Sequence, residues 1–370
     1  MLLAIFMKKI KILVDGRWFD SYYSGVTTYI KGLYNAIAED ENFSVTVIGK
    51  DVNKLKLEFP INVSFIELKT KSNIKWLYID LPKIIVKHEF DYAHFQYMCP
   101  LVKKCKYIVT LHDLLFLDYK DSFPLSFILK NSSLFYLSAR KADILLTVSE
   151  YSKQRISHHF KINEDKISVI PNGILSKFRE SKGVDIHSSY NIQKYILFVS
   201  RVEPRKNHIA VLKAFVELEL YKDYSLVFIG KKTIEVKALN DYLLKLPLQI
   251  TKKVVFIENV SEDELYSFYK NTSLFIYPSL SEGFGIPPIE AISSGAKTIC
   301  SNATALGDFD FLSDYHFSPN NLQELKAKIT LTLEDENYPI TQFQETITKR
   351  YDWNKIGDKL KLLLQSDLNK

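Results

Sequence analysis

The chain has 370 residues, of which 46% are hydrophobic and 25% are charged, with 12 Gly and 12 Pro. This length exceeds what one ordinary core supports, so we expect two domains, and the composition excludes a disordered or low-complexity protein. The net charge of +6 suits an anionic membrane surface or a phosphorylated ligand, but it is too small to indicate a nucleic-acid-binding protein.

The cysteines and the first residues bear on the cellular compartment. Cys99, Cys105 and Cys300 are an odd number and form no CxxC or zinc-like pair, which favours a reducing cytoplasm. The apolar residues 1–6 are too short for the core of a signal peptide. No run approaches the length needed to span a bilayer. We therefore predict a cytoplasmic protein.

The first half of the sequence alternates β-branched runs with helical stretches, a pattern typical of parallel α/β sheets. The predicted strands cover residues 10–14, 45–48, 63–66, 92–95, 107–111, 144–148 and 167–170. After the first strand, Gly25 opens a predicted helix over residues 27–38. A glycine there lets backbone N–H groups approach phosphate oxygens, although it is also a common helix cap.

A mixed segment and several strand ends carry the other features of the first half. Residues 75–87 combine aromatic, aliphatic and lysine side chains, so they either rest on a membrane surface or form an ordinary packed helix. His112, Ser149 and Asn172 follow predicted strands, where open parallel sheets bind their ligands. His112 is either a hydrogen-bonding or proton-transferring group or a structural histidine.

A second α/β series follows residues 178–191, which are polar, lack an apolar period and read as a linker. Its predicted strands cover residues 195–199, 225–229, 253–257, 274–277 and 298–300, with helices at 207–218, 262–270 and 354–365. Ser261 and Glu264 form a capping box for the second of these helices. We predict two Rossmann-like domains of class α/β, divided near residue 185, whose strand ends face each other across a cleft.

Two loops of the second half carry the residues best suited to a polar ligand. Arg201 to Lys206 place cations after a strand, where they either bind a diphosphate or pair with Glu203. After residue 280, two glycines and Glu282 lie on a loop before a predicted helix, and two prolines and Glu290 lie in its first turns. The residues of this stretch are Glu282, Gly283, Phe284, Gly285, Pro287, Pro288 and Glu290. Prolines suit a first helical turn, and a helix start favours anions. The alternative is a capped loop with two solvated glutamates.

Several common sites are missing from the sequence. Neither half has GxGxxG after its first strand, which disfavours a nicotinamide dehydrogenase. The sequence also lacks a GxxxxGK[ST] loop, which disfavours a P-loop nucleotidase. The sequence shows no cluster of His, Asp or Cys residues of the kind that a metal site needs. We expect no metal and no other cofactor.

Together the motifs resemble those of the retaining glycosyltransferases of family four, above all the mannosyltransferase-like members that build surface polysaccharides. The resemblance covers nearly the whole chain and implies the GT-B fold. The motifs that carry it are Ser24-Gly-Val, Thr110-Leu-His-Asp-Leu, Thr147-Val-Ser-Glu-Tyr-Ser, Val169-Ile-Pro-Asn-Gly, Ser200-Arg-Val-Glu-Pro-Arg-Lys-Asn, Tyr277-Pro-Ser-Leu-Ser-Glu-Gly-Phe-Gly-Ile-Pro-Pro-Ile-Glu-Ala and Ser301-Asn.

The resemblance implies roles for individual residues. Arg201 and Lys206 would hold the donor diphosphate, helped by the backbone near Gly25. Glu282 would bind hydroxyls of the transferred sugar, and Glu290 would bind the nucleotide ribose. His112 would contact the sugar or help to organise the reaction. The other donor-binding residues that we expect are Ser149, Asn172, Gly230, Gly283, Phe284 and Gly285. One departure is the stretch Leu306-Gly307-Asp308, where the family usually has Leu-Pro-Glu.

The functional hypothesis is transfer of a hexose, with GDP-mannose as the favoured donor, to a lipid-linked or oligosaccharide acceptor with retention of configuration. UDP-hexoses, dTDP-rhamnose and a non-catalytic subunit of a transferase complex are the alternatives. The predicted partners are a nucleotide sugar, the acceptor and the cytoplasmic face of the inner membrane. The predicted domains are residues 1–185 and 186–350, with a C-terminal helix over 351–370 that crosses back to the first domain.

Overall fold

The computed structural model describes residues 9–20, 24–120, 123–175, 178 and 183–368. The chain divides into two compact units: unit 1 is Met1–Gly173 with Tyr351–Lys370, and unit 2 is Ile174–Arg350. The first division therefore falls after Gly173, ahead of the predicted boundary near residue 185. The C-terminal segment is part of unit 1.

Unit 1 contains a parallel sheet of seven strands in the order β3-β2-β1-β4-β5-β6-β7. The strands are β1 (Ile10–Asp15), β2 (Phe43–Gly49), β3 (Ser64–Glu67), β4 (Tyr92–Gln96), β5 (Lys106–Thr110), β6 (Ile144–Thr147) and β7 (Ile167–Val169). They are rich in β-branched and aromatic residues and are mostly buried, as expected for a parallel sheet with both faces covered. All the predicted strands of the first half are confirmed.

Helices connect these strands. They are α1 (Gly25–Ala38), α2 (Val52–Glu58), α3 (Asn73–Lys75), α4 (Leu81–His88), α5 (Leu115–Asp118), α6 (Leu125–Lys141) and α7 (Glu150–Phe160). A π-helical segment, Trp76–Asp80, joins α3 to α4, and 3-10 turns lie at Arg17–Asp20 and Glu164–Lys166. Ser24 caps α1, and its N–H donates to the Thr27 hydroxyl at 2.8 Å.

The segment over residues 75–87 packs as an ordinary helix of unit 1. Trp76 is fully buried and its indole N–H donates to the Asp15 carboxylate at 3.2 Å. Leu77, Leu81 and Ile85 are also buried. Its apolar stripe therefore faces the core of unit 1. Across the described part of the chain, no helix is both long and apolar enough for a membrane span.

Unit 2 contains a parallel sheet of six strands in the order β10-β9-β8-β11-β12-β13. They are β8 (Tyr195–Val199), β9 (Ser225–Ile229), β10 (Val254–Ile257), β11 (Leu274–Tyr277), β12 (Thr298–Ser301) and β13 (His316–Phe317). The order reverses between β8 and β11, and such a switch point is where sheets of this type bind ligands. The sequence analysis missed β13, which is only two residues long.

The helices of unit 2 are α8 (Ile186–Tyr190), α9 (His208–Glu217), α10 (Lys237–Leu244), α11 (Leu248–Thr251), α12 (Glu262–Asn271), α13 (Ile286–Ser293), α14 (Leu322–Glu334) and α15 (Ile340–Arg350). The 3-10 turns are Pro204–Lys206, Leu220–Lys222, Thr304–Asp308 and Asp310–Tyr315. The predicted capping box is confirmed, because Glu264 N–H donates to Ser261 at 3.2 Å and Ser261 N–H donates to Glu264 at 2.7 Å.

The prediction of a linker over residues 178–191 is partly wrong. The Asp185 side chain caps α8 by accepting from the Ser188 N–H at 3.2 Å, and Ile186 is buried. A single buried apolar residue in a five-residue helix leaves no periodic signal, so the sequence pattern predicts a loop. Residues 179–182 of the predicted linker lie outside the described residues.

The last helix, α16 (Trp353–Leu368), packs against α1 within unit 1. A Cβ added to Gly32 of α1 would stand 2.0 Å from the Trp353 ring, and one added to Gly173 would stand 2.6 Å from it. Both positions therefore have room only for glycine. The buried Trp353 ring fixes the C-terminal helix on unit 1.

Candidate functional site

The predicted cationic and acidic loops of unit 2 lie on either side of the sheet's switch point. Residues 200–206 follow β8 and residues 278–285 follow β11, and these two strands are hydrogen-bonded neighbours. The loops are also tied directly, since the Leu280 N–H donates to the Arg205 carbonyl at 2.8 Å. The sheet order thus brings together residues that are more than seventy positions apart in the sequence.

Lys206 is held inside this site. Pro204 begins a 3-10 turn that ends at Lys206, and Asn207 follows in the left-handed conformation at φ 60°. The Lys206 ammonium donates to the Glu282 carboxylate at 2.5 Å and to the Tyr277 hydroxyl at 3.0 Å. Burial lowers the pKa of Lys206, and the adjacent Glu282 carboxylate opposes that shift.

Glu282 is a buried, ionised partner of these cations. Besides Lys206, it accepts a hydrogen bond from the Tyr277 hydroxyl at 3.0 Å and lies 3.4 Å from the Arg205 guanidinium. Burial raises its pKa, but Lys206 and Arg205 outweigh burial and bring the pKa to about 2. The alternative of a solvated glutamate is therefore wrong for Glu282.

Thr304 positions the backbone of Glu282. The Glu282 N–H donates to the Thr304 hydroxyl at 2.8 Å. Thr304 has φ 53°, a left-handed conformation that is unfavourable for a β-branched residue and is often found at functional sites. It begins the 3-10 turn that contains the departure at Leu306, Gly307 and Asp308. Through Thr304, this turn fixes the backbone of the acidic loop at Glu282.

Arg201 and Arg205 are joined through Glu203. The Glu203 carboxylate lies 3.2 Å from Arg201 Nε and 3.1 Å from Arg205 Nε. The Arg201 side chain is 59% exposed, whereas the Glu203 side chain is only 11% exposed. Pairing with Glu203 is the second of the two alternatives that the sequence left open. A role of Arg201 in phosphate binding stays a prediction.

The glycines shape both loops. Gly285 has φ +104°, and a Cβ there would stand 2.4 Å from the Leu306 side chain. Gly230, directly after β9, has φ +140°, and its Cβ would stand 2.2 Å from the Ser200 carbonyl. The Phe284 ring packs edge-on against Phe309 at 5.6 Å. Gly283 lies between Glu282 and Phe284 and is only partly exposed.

Glu290 has a tyrosine partner of its own, Tyr269. It is in α13, where the two prolines occupy the first turn as predicted. Its carboxylate accepts a hydrogen bond from the Tyr269 hydroxyl at 3.0 Å. The Tyr269 side chain therefore holds Glu290 in place, whatever ligand it contacts.

His112 belongs to unit 1 and is buried there. Its Nε2 lies 2.7 Å from the Gln96 side-chain oxygen, and the rings of Tyr29 and Tyr97 pack against it at 5.0 and 5.3 Å. Burial lowers the pKa of His112 to about 3. His112 is therefore neutral at physiological pH, whether it is functional or structural.

Ser149, Asn172 and Gly25 are the other predicted residues of unit 1. Ser149 caps α7 by accepting from the Ser152 N–H at 3.1 Å, and the Ser152 hydroxyl donates to the His112 carbonyl at 3.0 Å. The structure thereby links Ser149 to His112. Asn172 is buried, and its side-chain oxygen has no hydrogen-bond partner among the described residues. Gly25 is exposed at the start of α1.

The sequence analysis missed three members of the site in unit 2. Tyr277 ends a strand, where the pattern predicts a core residue. Arg205 lies inside the cationic motif, but Arg201 and Lys206 were the residues predicted to bind the ligand. Thr304 has no signal in a single sequence, because its role depends on backbone conformation. Within the described ranges, no group of three or more His, Cys, Asp or Glu side chains is arranged to hold a metal ion.

Two parallel Rossmann-like sheets with a polar site at a switch point define a protein of the GT-B class. Two family models match the chain: "Glycosyltransferase Family 4" over residues 23–175 and "Glycosyl transferases group 1" over residues 184–365. Together these ranges cover every strand of both sheets except β1. The chain belongs to the family-four glycosyltransferases.

Individual relatives are more distant. The chain is 27% identical to the O-antigen chain mannosyltransferase B of Escherichia coli, over 62% of each chain. It is 28% identical to the O-antigen chain mannosyltransferase RfbU of Salmonella typhimurium, over 67% of this chain and 66% of that protein. Each match spans less than two thirds of the relative's length.

A solved structure shows the same fold over the whole chain. The crystal structure of HepE from Anabaena, in complex with UDP and glucose, superposes with a TM-score of 0.71 at 17% identity. The match covers 96% of this chain and 100% of that one. At this identity the likeness establishes the fold alone.

Proposed function

We propose that this chain is a retaining glycosyltransferase that moves a hexose from a nucleotide diphosphate sugar to a lipid-linked or oligosaccharide acceptor of surface polysaccharide synthesis. The observation that carries the proposal is the buried contact of Lys206 with Glu282 at the switch point of unit 2. It places a cation suited to a diphosphate beside a carboxylate suited to sugar hydroxyls.

The donor that we propose is GDP-mannose. The support is the similarity to two proteins named as O-antigen chain mannosyltransferases. HepE, with the same fold, was crystallised with UDP and glucose. UDP-hexoses and dTDP-rhamnose are therefore the alternative donors to be tested beside GDP-mannose.

The chemical problem in such a transfer is the negative charge that develops on the leaving diphosphate. Lys206 and Arg201 supply positive charge at the carboxyl edge of the sheet, and the start of α13 adds the positive end of a helix dipole. Groups that are fixed before the reaction cost little reorganisation in the transition state. In this proposal they stabilise the diphosphate while an oxocarbenium-like sugar forms.

Glu282 acts here as a positioning group for the sugar. A carboxylate whose pKa is about 2 is a weak base, and it is not protonated at neutral pH to act as an acid. Its oxygens instead suit hydrogen bonds from sugar hydroxyls. Substitution on one face of the sugar, with no covalent intermediate, is the proposed route to retention.

The proposal assigns the charge stabilisation to Lys206 and Arg201 rather than to a metal ion. A metal ion can neutralise a leaving diphosphate, and we propose that the two cations do so here instead. Donor binding and turnover are therefore expected to be insensitive to EDTA. A requirement for Mg²⁺ in donor binding contradicts this part of the proposal.

The test is turnover by the purified full chain. GDP-mannose, UDP-hexoses and dTDP-rhamnose are each supplied with a lipid-linked saccharide acceptor, with and without EDTA, and released nucleoside diphosphate is measured. One donor is expected to be consumed only when acceptor is present. The anomeric signal of the product, read by NMR, is expected to match that of the donor.

The variants Lys206→Ala and Arg201→Ala are expected to lower turnover by about 100-fold or more, the usual effect of removing one charge-stabilising group. Lys222→Ala, at an exposed lysine on a different loop, is the matched control and should leave turnover unchanged. Full turnover by Lys206→Ala contradicts the assignment of charge stabilisation. No turnover by wild type with any donor favours the non-catalytic subunit.

A further inference from the structure

A chain of buried polar side chains runs through unit 1 to His112. His94 and Gln96 lie two residues apart on β4, and Gln96 is the register partner of Thr110 on β5. These side chains therefore share one face of the sheet with His112. His94, Gln96 and Thr110 are fully buried. Tyr34 of α1 completes the chain, because its hydroxyl lies 2.7 Å from His94 Nδ1.

The Gln96 amide decides where the protons of both histidines lie. Its oxygen, 2.7 Å from His112 Nε2, can only accept, so His112 carries its proton on Nε2. Its nitrogen, 3.2 Å from His94 Nε2, can only donate, so His94 accepts there and carries its proton on Nδ1. Thr110 also lies within hydrogen-bond distance of His94 Nε2, at 2.8 Å, and as a donor it agrees with this tautomer.

Both rings are neutral in this arrangement. Burial lowers the pKa of His94 and of His112 to about 3. A neutral imidazole with its proton on Nε2 presents Nδ1 as a hydrogen-bond acceptor. Gln96 Oε1 is the hydrogen-bond partner of the His112 ring among the described residues, and it occupies only the Nε2 side.

We propose that Gln96 is a positioning residue that fixes His112 as the Nε2–H tautomer, so that Nδ1 of His112 accepts a hydrogen bond from a hydroxyl of the transferred sugar. The tautomer follows from unit 1 alone, whereas the contact with the sugar rests on the proposed function. In this state His112 donates no proton to the leaving group. It recognises a hydroxyl and so contributes to the choice of sugar.

The test of the tautomer is the ¹⁵N NMR spectrum of the histidine rings in the full chain without any ligand. His112→Asn identifies which of the signals from the eight histidines belongs to His112. The wild-type spectrum is expected to show an unprotonated Nδ1 and a protonated Nε2 for His112. A protonated Nδ1 means that the Gln96 amide has the opposite orientation, and it overturns the proposal.

Two substitutions separate positioning from mere packing. Gln96→Met keeps the side-chain volume but removes the acceptor, so the His112 signals should lose the wild-type tautomer. Gln96→Glu keeps an acceptor and should retain it. Ser138→Ala removes another buried hydroxyl of unit 1, bonded to the Cys99 N–H at 3.1 Å and outside this network, and should change neither ring. Unchanged His112 signals in Gln96→Met contradict the role of Gln96.

The sugar contact is tested by kinetics with mono-deoxy analogues of the donor. One missing hydroxyl should lower kcat/KM of wild type about tenfold or more, and His112→Asn should show little further loss with that analogue. Equal losses in wild type and His112→Asn with every analogue contradict the contact. Because the spectra need no substrate, an inactive chain still tests the tautomer, and the two failures remain distinguishable.

Discussion

The ion pair of Lys206 with Glu282 makes a quantitative prediction about the stability of unit 2. The pKa of Glu282 falls from 4.5 to about 2 in the folded chain. At about 1.4 kcal/mol per pKa unit, the ionised carboxylate contributes about 3 kcal/mol to the free energy of unfolding at neutral pH. This contribution is present above pH 4.5 and is lost as the pH falls through the folded-state pKa.

A double-mutant cycle measures that contribution. Glu282→Gln and Lys206→Met should each lower the free energy of unfolding by about 3 kcal/mol, because each deprives a buried charge of its nearest opposite charge. The double variant should lose little more than either single variant, so the coupling energy should be about 2 kcal/mol or more. The assay is urea unfolding at pH 7, followed by circular dichroism.

The chain supplies its own controls. Lys222 and Glu219 form a pair at the same 2.5 Å distance, but their side chains are each 59% exposed, so their cycle should show no resolvable coupling. Trp18, Trp76 and Trp353 all lie in unit 1, so tryptophan fluorescence reports that unit separately. Additive effects of Glu282→Gln and Lys206→Met refute the reasoning, since they mean that the pair is not coupled.

The remaining predictions use single substitutions. Tyr277→Phe keeps the buried ring but removes the hydroxyl that holds both members of the ion pair, so the Kd of the donor should rise about fivefold to tenfold in calorimetry. Gly230→Ala should lower the thermal midpoint, because its Cβ meets the Ser200 carbonyl. Gly295→Ala, also at positive φ but with its Cβ 4.0 Å from the Gln344 side chain, should lower it much less. His208, with both ring nitrogens unpaired among the described residues, has its pKa lowered to about 3 by burial. Below pH 6.5 only the unfolded chain protonates this ring, so the free energy of unfolding falls as the pH falls. His208→Phe should reduce that slope by about 1 kcal/mol per pH unit on average in urea unfolding between pH 7 and 5, and an unchanged slope contradicts the assignment.

The strands of both sheets follow from the sequence because their pattern is local. Each strand is a short apolar, β-branched run between turn residues, and the parallel class follows from the alternation with helices. The strand β13 could not be predicted, because two residues are too few to show a hydrophobic period. The helix α8 escaped because its capping residue, Asp185, lies in an otherwise polar stretch.

The candidate site was predicted by residue type but not by pairing. The rule that ligands bind beyond the carboxyl ends of strands selects Lys206 and Glu282 as site candidates. It does not reveal that they bind each other, since that depends on the order of β8 and β11 and on burial. Thr304 and Gln96 could not be predicted from the sequence for the same reason. Each acts on a residue distant in sequence or through a strained backbone.

The central claim is that the carboxyl edge of the sheet in unit 2 binds a nucleoside diphosphate through Lys206. It is tested most directly by titration calorimetry of GDP, UDP and dTDP, each beside its monophosphate, with wild type and Lys206→Ala. The account predicts that wild type binds one diphosphate at least about tenfold more tightly than its monophosphate, and that Lys206→Ala removes this difference. Binding of the diphosphate by Lys206→Ala as tightly as by wild type, or no binding by wild type, contradicts the claim.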